Sequence, residues 1–358
     1  MSVVGIQNVA KYYGKLAALA DVSMTIADGE FFGLLGPSGG GKTTLLRSIA
    51  GFVDPDKGSI TIGGKPVQNI PINKRDIGMM FQNYALFPHL TVAENIGFGL
   101  SVRHQPKAEI DARVKHLLGL VRLSGFEDRK PKQMSGGQQQ RIALARALAT
   151  NPRVLLLDEP LGALDKKLRE EMQFELKQIQ RDIGITTVFV THDQEEALTL
   201  SDRIAIMNGG KVEQIGAPRE IYERPRTAFA ASFLGTANFF SGTVSGRADG
   251  LTRLLLDDGQ AIFTEDEAPE GSRVTAAVRP EKLLAGPLAS APSAAERQNA
   301  VQGRVIAEVY AGNSVTYRVE VGGRPVTVFV QNRTGERLAD NEQVSLSWKP
   351  AHTIIVAD

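Results

Sequence analysis

Cysteine is absent from all 358 residues, which excludes disulfides, thiolate metal sites and a cysteine nucleophile. Net charge is nearly absent too. The 41 Lys+Arg and 40 Asp+Glu leave +1, so no overall field draws the chain toward nucleic acid or anionic lipid. No stretch approaches the roughly 20 consecutive apolar residues that a membrane-crossing helix requires. The opening MSVVGIQNVAKYYGK also lacks the apolar core of a secretory signal. Any role at a membrane is therefore expected to come through a partner. What is present is ordinary globular material, 42% hydrophobic and 23% charged. The length suggests two domains, because single cores stop growing near roughly 250–300 residues.

The first two-thirds alternate short β-type runs with helical patterns, the mark of a parallel sheet covered by helices. FFGLLG (31–36) reads as a buried strand, and KTTLLRSIAG (42–51) as a helix closed by a glycine. VLLLDEP (154–160) reads as a second buried strand stopped by Pro160, and TTVFVTHD (186–193) as a third. Between the last two, Leu164, Leu168, Met172, Leu176, Ile179 and Ile183 recur every three or four residues, which predicts a long amphipathic helix. Residues from about 85 to 150 are helical and strand-poor, an all-α insertion. Beyond Thr236 the pattern becomes short alternating runs with turn signals at Asp257-Asp258-Gly259, Gly312-Asn313 and Gly322-Gly323, an all-β tail suited to small barrels. Residues 285–300 are low in complexity and read as a loop. The tail holds 12 Lys+Arg and 15 Asp+Glu, net −3, which argues against a nucleic-acid groove. The domains are thus expected at 1–235 and 236–358.

GPSGGGKTT (36–44) matches the P-loop pattern and sits between a predicted strand and helix. Its residues are Gly36, Pro37, Ser38, Gly39, Gly40, Gly41, Lys42, Thr43 and Thr44. The glycines let backbone N–H groups turn toward a triphosphate, and the helix N-terminus adds positive potential. Lys42 would reach the β- and γ-phosphates and Thr43 would ligand Mg²⁺. This motif alone leaves kinases, GTPases and motors open. VLLLDEP delivers two carboxylates to a strand's carboxyl end, where open α/β sheets bind ligands. Successive strand residues point opposite ways. Asp158 is therefore expected to hold Mg²⁺ through water, and Glu159 to orient or deprotonate the attacking water. In MSGGQQQR, Ser135, Gly136, Gly137 and Gln138 stand at the start of a helix and form a second anion site. Two such sites in one chain are redundant for one nucleotide, unless each nucleotide is shared between two copies.

This string, with the P-loop before it and VLLLDEP after it, resembles the ATP-binding cassette (ABC) ATPases. The resemblance implies an α/β P-loop ATPase with a helical subdomain, followed by an OB-like (TOBE) β domain, with ATP and Mg²⁺ as cofactors. It implies that Gln82 contacts Mg²⁺ and the attacking water, that Asp165 in LGALD is the D-loop acid, and that His192 contacts the γ-phosphate. Tyr13 would stack on adenine, with Tyr12 as the alternative. Two departures stand out: Gly162 where serine is commoner, and Met134 where the signature usually has leucine. NKRD (73–76) satisfies a guanine-reading string but precedes VLLLDEP by some 80 residues, and reads as a solvated turn.

The tail is similar to the paired small barrels of the maltose and polyamine importer ATPases, and AAVRPEKLLAG (276–286) matches their R-P-E turn. The likeness implies a homodimer at the cytoplasmic face of a bacterial inner membrane. Two permease subunits would dock near residues 82–98, fed by an external solute-binding protein. The stretch from LGALD to YERP resembles the spermidine/putrescine importer ATPases, with ferric iron, sugars, phosphonates or other small organic solutes as the alternatives.

Overall fold

The structure, a computed structural model, describes residues 2–162, 164–288, 298–332 and 337–358. Ala163 of the LGALD segment and residues 289–297 of the expected loop lie outside the described residues.

The chain divides into two compact units, Met1–Pro218 and Arg219–Asp358. The first runs β1 (Val4–Tyr13), β2 (Leu16–Ile26), β3 (Phe31–Leu35), α1 (Lys42–Ala50), β4 (Lys57–Ile62), β5 (Lys65–Pro66) and β6 (Ile77–Met80). It continues through α2 (Val92–Val102), α3 (Lys107–Leu120), α4 (Gly136–Leu148), β7 (Val154–Asp158) and α5 (Lys166–Ile183). It ends with β8 (Thr186–Thr191), α6 (Gln194–Leu200), β9 (Arg203–Asn208) and β10 (Lys211–Gly216). The central sheet has the order β10-β9-β3-β8-β7-β6 and is parallel except for β10.

Strands β3, β7 and β8 are buried along their whole length, as strands covered on both faces must be. Their alternate residues feed two separate cores. Leu155 and Leu157 face the helical side with Met172 and Leu176 of α5 and Ile142 of α4. Val154 and Leu156 face Leu45, Leu46 and Ile49 of α1. The α1 core is closed by a second, antiparallel sheet, β2-β1-β4-β5, which carries Ile6, Val22 and Ile60 inward. The parallel-sheet expectation did not include this sheet. The helical subdomain is α2, α3 and α4, and no strand intervenes between β6 and β7 among the described residues.

Three details differ from the pattern reading. Leu164 precedes α5, which is capped by Asp165, and Ile183 at its end is 40% exposed. The NKRD segment is not simply solvated. Arg75 is buried and donates to Ile70 O (2.8 Å), Ser48 O and Ile49 O (both 3.1 Å), satisfying carbonyls at the end of α1. The expected loop at 285–300 begins and ends in strand.

The second unit holds α7 (Pro218–Glu223), α8 (Ala228–Phe233), β11 (Asn238–Ala248), β12 (Leu251–Leu256), β13 (Ala261–Thr264) and β14 (Arg273–Val278). It continues with β15 (Leu284–Pro287), β16 (Asn299–Tyr310), β17 (Ser314–Val321), β18 (Arg324–Gln331), β19 (Gln343–Trp348) and β20 (Ile354–Val356). These strands form two antiparallel sheets, β13-β12-β11-β14-β20 and β15-β19-β16-β17-β18, around one shared core centred on Phe240, Val319, Leu346 and Trp348. Gly322 and Gly323, at φ 55° and 76°, make the β17–β18 turn that the glycine pair predicts. The R-P-E arginine, Arg279, is a buried pin. Its guanidinium donates to the carbonyls of Tyr222 (3.1 Å), Ala231 (2.8 Å), Gly235 (3.3 Å) and Thr236 (3.2 Å), which joins α7 and α8 to the strands.

Candidate functional site

The strand order decides which loops meet. Along β3-β8-β7-β6 the register aligns Leu35 with Thr191, Val190 with Asp158 and Leu157 with Met80. The segments leaving these carboxyl ends are therefore neighbours. They carry, in order, the P-loop, His192, the Asp158–Glu159 pair and Gln82.

The P-loop cannot carry side chains where it passes the backbone of β9 and β2. A Cβ on Gly36 would lie 2.1 Å from Met207 O. Gly41, which precedes α1, has φ 97°, and a Cβ there would lie 2.5 Å from Ala18 O. Lys42 is buried and folds back over the loop, donating to Gly36 O at 2.8 Å and Pro37 O at 2.9 Å. Burial pulls its ammonium below the ordinary lysine range, while the Glu159 and Asp158 carboxylates push the other way.

Asp158 ends β7 and is buried, with the Thr43 hydroxyl facing it and the Arg47 guanidinium 4.0 Å away. Burial pushes its carboxyl above the ordinary range and Arg47 opposes the rise. Glu159 lies outside the strand, with φ 46° and its N–H on Val190 O at 3.0 Å. The different directions of the two acids thus come from a left-handed backbone step at Glu159 and not from strand alternation, and the strand expected to stop at Pro160 already ends at Asp158. That step turns the Glu159 carboxylate toward two of the expected partners. Gln82 Nε2 donates to Oε2 at 2.7 Å, and His192 Nδ1 stands 3.2 Å from Oε1.

Glu159 borders a cleft of about 480 Å³ lined also by Tyr13 and residues 38–44, whereas Gln82, Asp158 and His192 are not among the described residues that line it. The volume falls in the range of small-ligand sites, roughly 300–1,000 Å³. Tyr13 is 52% exposed at its mouth, whereas Tyr12 is not among the lining residues. Gly209, in the turn after β9, also lines the cleft. Sequence reasoning missed it because the turn contributes backbone and no chemical group. The Gly209-Gly210 doublet was the available signal. For a divalent cation, the Thr43 hydroxyl, the Asp158 carboxylate and the Gln82 amide oxygen supply hard oxygen donors of the kind Mg²⁺ takes.

The other expected anion site is elsewhere. Ser135 caps α4, its hydroxyl accepting Gln138 N–H at 3.3 Å while Gln138 Oε1 accepts Ser135 N–H at 3.0 Å. Gly136 and Gly137 form the first turn. None of residues 135–138 is among the described residues that line the cleft. Asp165 caps α5 by accepting Leu168 N–H at 3.0 Å, and it too is not among those lining residues. No helix among the described residues is long and apolar enough to cross a membrane.

The family model described as "ABC transporter" matches residues 19–162, and that described as "TOBE domain" matches 276–356. The chain is 48% identical over 361 residues to the spermidine/putrescine import ATP-binding protein PotA of Rubrobacter xylanophilus, covering 99% of this chain and 93% of the relative. It is 50% identical over 336 residues to the protein of that name from Roseobacter denitrificans, covering 92% and 90%. Among solved structures, the dimeric ATP-binding cassette MJ0796 in a post-hydrolysis state with ADP and Pi is 36% identical, with TM-score 0.54 over 60% of this chain and 99% of the cassette. The structure of cbiO1 from Clostridium perfringens, part of the ABC transporter complex cbiONQ, is 30% identical, with TM-score 0.57 over 62% and 90%.

Proposed function

This chain belongs to the ATP-binding proteins of ABC transporters, and from that premise we propose that it is the ATP-hydrolysing motor of an importer for spermidine and putrescine. The observation that carries the chemistry is the single carboxylate of Glu159 held between Gln82 and His192 at the edge of the P-loop cleft. The polyamine assignment rests on the relatives of that name, which match this chain along nearly its whole length.

In the proposed cycle Tyr13 stacks on adenine. The backbone N–H groups of residues 38–44 take the phosphates, and Lys42 exchanges the Gly36 and Pro37 carbonyls for the β- and γ-phosphate oxygens. Thr43, Asp158 and Gln82 would hold Mg²⁺, partly through water, and the chemistry it would supply there is neutralisation of phosphate charge. Glu159 takes a proton from the attacking water, and His192 contacts the γ-phosphate. Ser135, Gly136, Gly137 and Gln138 act on the nucleotide of a second copy, with Asp165 at the junction, so the working unit is a homodimer. Two permease subunits and an external solute-binding protein complete the importer, with this subunit peripheral on the cytoplasmic face of the inner membrane. The sequence pattern divides the chain into a cassette, 1–235, and a regulatory β domain, 236–358, while the compact units divide earlier, after Pro218.

Reconstitution with the cognate permease and binding protein tests the solute. The expected outcome is ATPase activity stimulated by spermidine or putrescine. Stimulation by maltose or ferric iron in their place would overturn the assignment.

A further inference from the structure

Behind His192 lies a carboxyl that the cycle above does not use. Glu196, on α6, is only 2% exposed, and its Oε1 has no hydrogen-bond partner among the described residues. Its Oε2 accepts from the Thr191 hydroxyl at 2.5 Å, and that hydroxyl oxygen accepts Asp193 N–H at 3.0 Å. Thr191 and Asp193 are the two neighbours of His192 in the chain. Asp193 is held again at both carboxylate oxygens. Oδ1 accepts Glu196 N–H at 3.1 Å, and Oδ2 accepts Arg169 Nη1 at 2.9 Å. Arg169 Nη2 also donates to Leu164 O at 3.1 Å, so the network reaches the segment before α5. The His192 side chain is 60% exposed, so its packing does little to aim it. Its direction follows from the backbone on either side.

We propose that Glu196 is a positioning residue for ATP hydrolysis: as a carboxylate it anchors the Thr191 hydroxyl, and through it the Thr191–Asp193 turn that keeps His192 on Glu159. A hydroxyl has one proton to donate. With Glu196 ionised, Thr191 gives that proton to Oε2 and still accepts from Asp193. With Glu196 protonated, either the acid proton goes unpartnered or it points at Thr191 Oγ1. In the first case the acceptor has lost its charge and the Thr191 bond is weaker; in the second the Thr191 proton needs a new acceptor in a buried site. The charged groups facing Glu196 are Asp193 on its own turn, Arg169 from α5 and Glu159 after β7. Burial, Asp193 and Glu159 raise its pKa while the Thr191 bond and Arg169 lower it, leaving it at about 7. The anchor therefore weakens on the acid side of neutrality.

The inference rests on the reading of His192 as a γ-phosphate contact. Steady-state ATPase of the full chain across pH 5.5–9, with nucleotide affinity measured alongside, tests both. Thr191→Val is expected to lower kcat about tenfold or more with little change in KM for ATP, and Thr191→Ser to restore it. The parent's kcat is expected to fall as pH drops through about 7. Glu196→Gln has no proton to gain and offers Thr191 a neutral acceptor at every pH, so its kcat, whatever its level, should lose that acid limb. Thr191→Val turning over like the parent, or Glu196→Gln keeping the limb, sinks the inference. The Gln arm decides alone if the Val variant does not fold. A His192→Ala variant with parental hydrolysis removes the His192 reading and this inference together. Hydrolysis lost in His192→Ala but intact in Thr191→Val removes only the inference.

Discussion

Glu159 is one residue beyond its strand, and that single left-handed step, φ 46°, places both carboxylate oxygens in contact with side chains from other strand ends. Glu159→Gln keeps the volume, yet an amide cannot take a proton from water. As the proposed base it should lose about 10²–10⁴-fold in hydrolysis, while ATP binding, measured on the same preparation, persists. Turnover near the parental rate would remove Glu159 from the mechanism. The pair Asp158–Glu159 was legible because four apolar residues running into two acids mark a strand end beside a ligand. The way the two part was not legible. It depends on the Glu159 N–H finding Val190 O on the next strand, a tertiary contact that a period-two argument does not contain. Glu196 was unreadable for a similar reason. In THDQEEA nothing distinguishes it from Glu195, and only the placement of α6 buries it and leaves one oxygen without a partner among the described residues.

Among the elements, those buried on both faces announced themselves. The strands β3, β7 and β8 were read to within a residue or two, because a continuous apolar run has few alternatives in a chain this length. The antiparallel sheet of β1, β2 and β4 was not read. It buries one face only, and the irregular pairing between Ile6 and Val9 and between Val9 and Lys11 breaks its alternation. Carbonyl-capping arginines are the other feature hidden from pattern reading. Arg75 serves α1, and Arg146 at the end of α4 donates to Tyr84 O and Ala85 O, both at 2.7 Å, where the backbone after Gln82 turns left-handed. Arg279 is the most heavily used of these. Arg279→Leu leaves four carbonyls without their donor, and a buried unmet carbonyl costs roughly 1–3 kcal/mol. Some of these groups will find water, so the expected loss is on the order of 3 kcal/mol for the β unit. A lowered melting temperature with nucleotide affinity unchanged checks this, and a variant that melts with the parent contradicts it.

At the scale of the whole molecule, the feature to explain is that one chain carries two glycine-bearing helix starts proposed to bind phosphate, and only one of them lines its cleft among the described residues. Residues 36–44 line that cleft, whereas residues 135–138 do not, among the described residues. Sharing between two copies makes both useful, and the arrangement can be tested with damaged copies. Lys42→Ala disables the P-loop, and Ser135→Arg blocks the start of α4. A homodimer of either variant has the same lesion in both composite sites, so neither should trap ATP. A mixed dimer distributes the lesions differently. One of its sites combines both, and the other joins an intact P-loop to an intact Ser135–Gln138 segment. Mixed dimers should therefore occlude one nucleotide, measured with Glu159→Gln in both chains so that hydrolysis does not empty the site. Hydrolysis itself is the poorer readout, because coupling between the two sites can leave a half-repaired dimer inactive. If both segments served one nucleotide within one chain, mixing would restore nothing. The count of ATP retained by purified mixed dimers separates the cases: one supports sharing, and none refutes it.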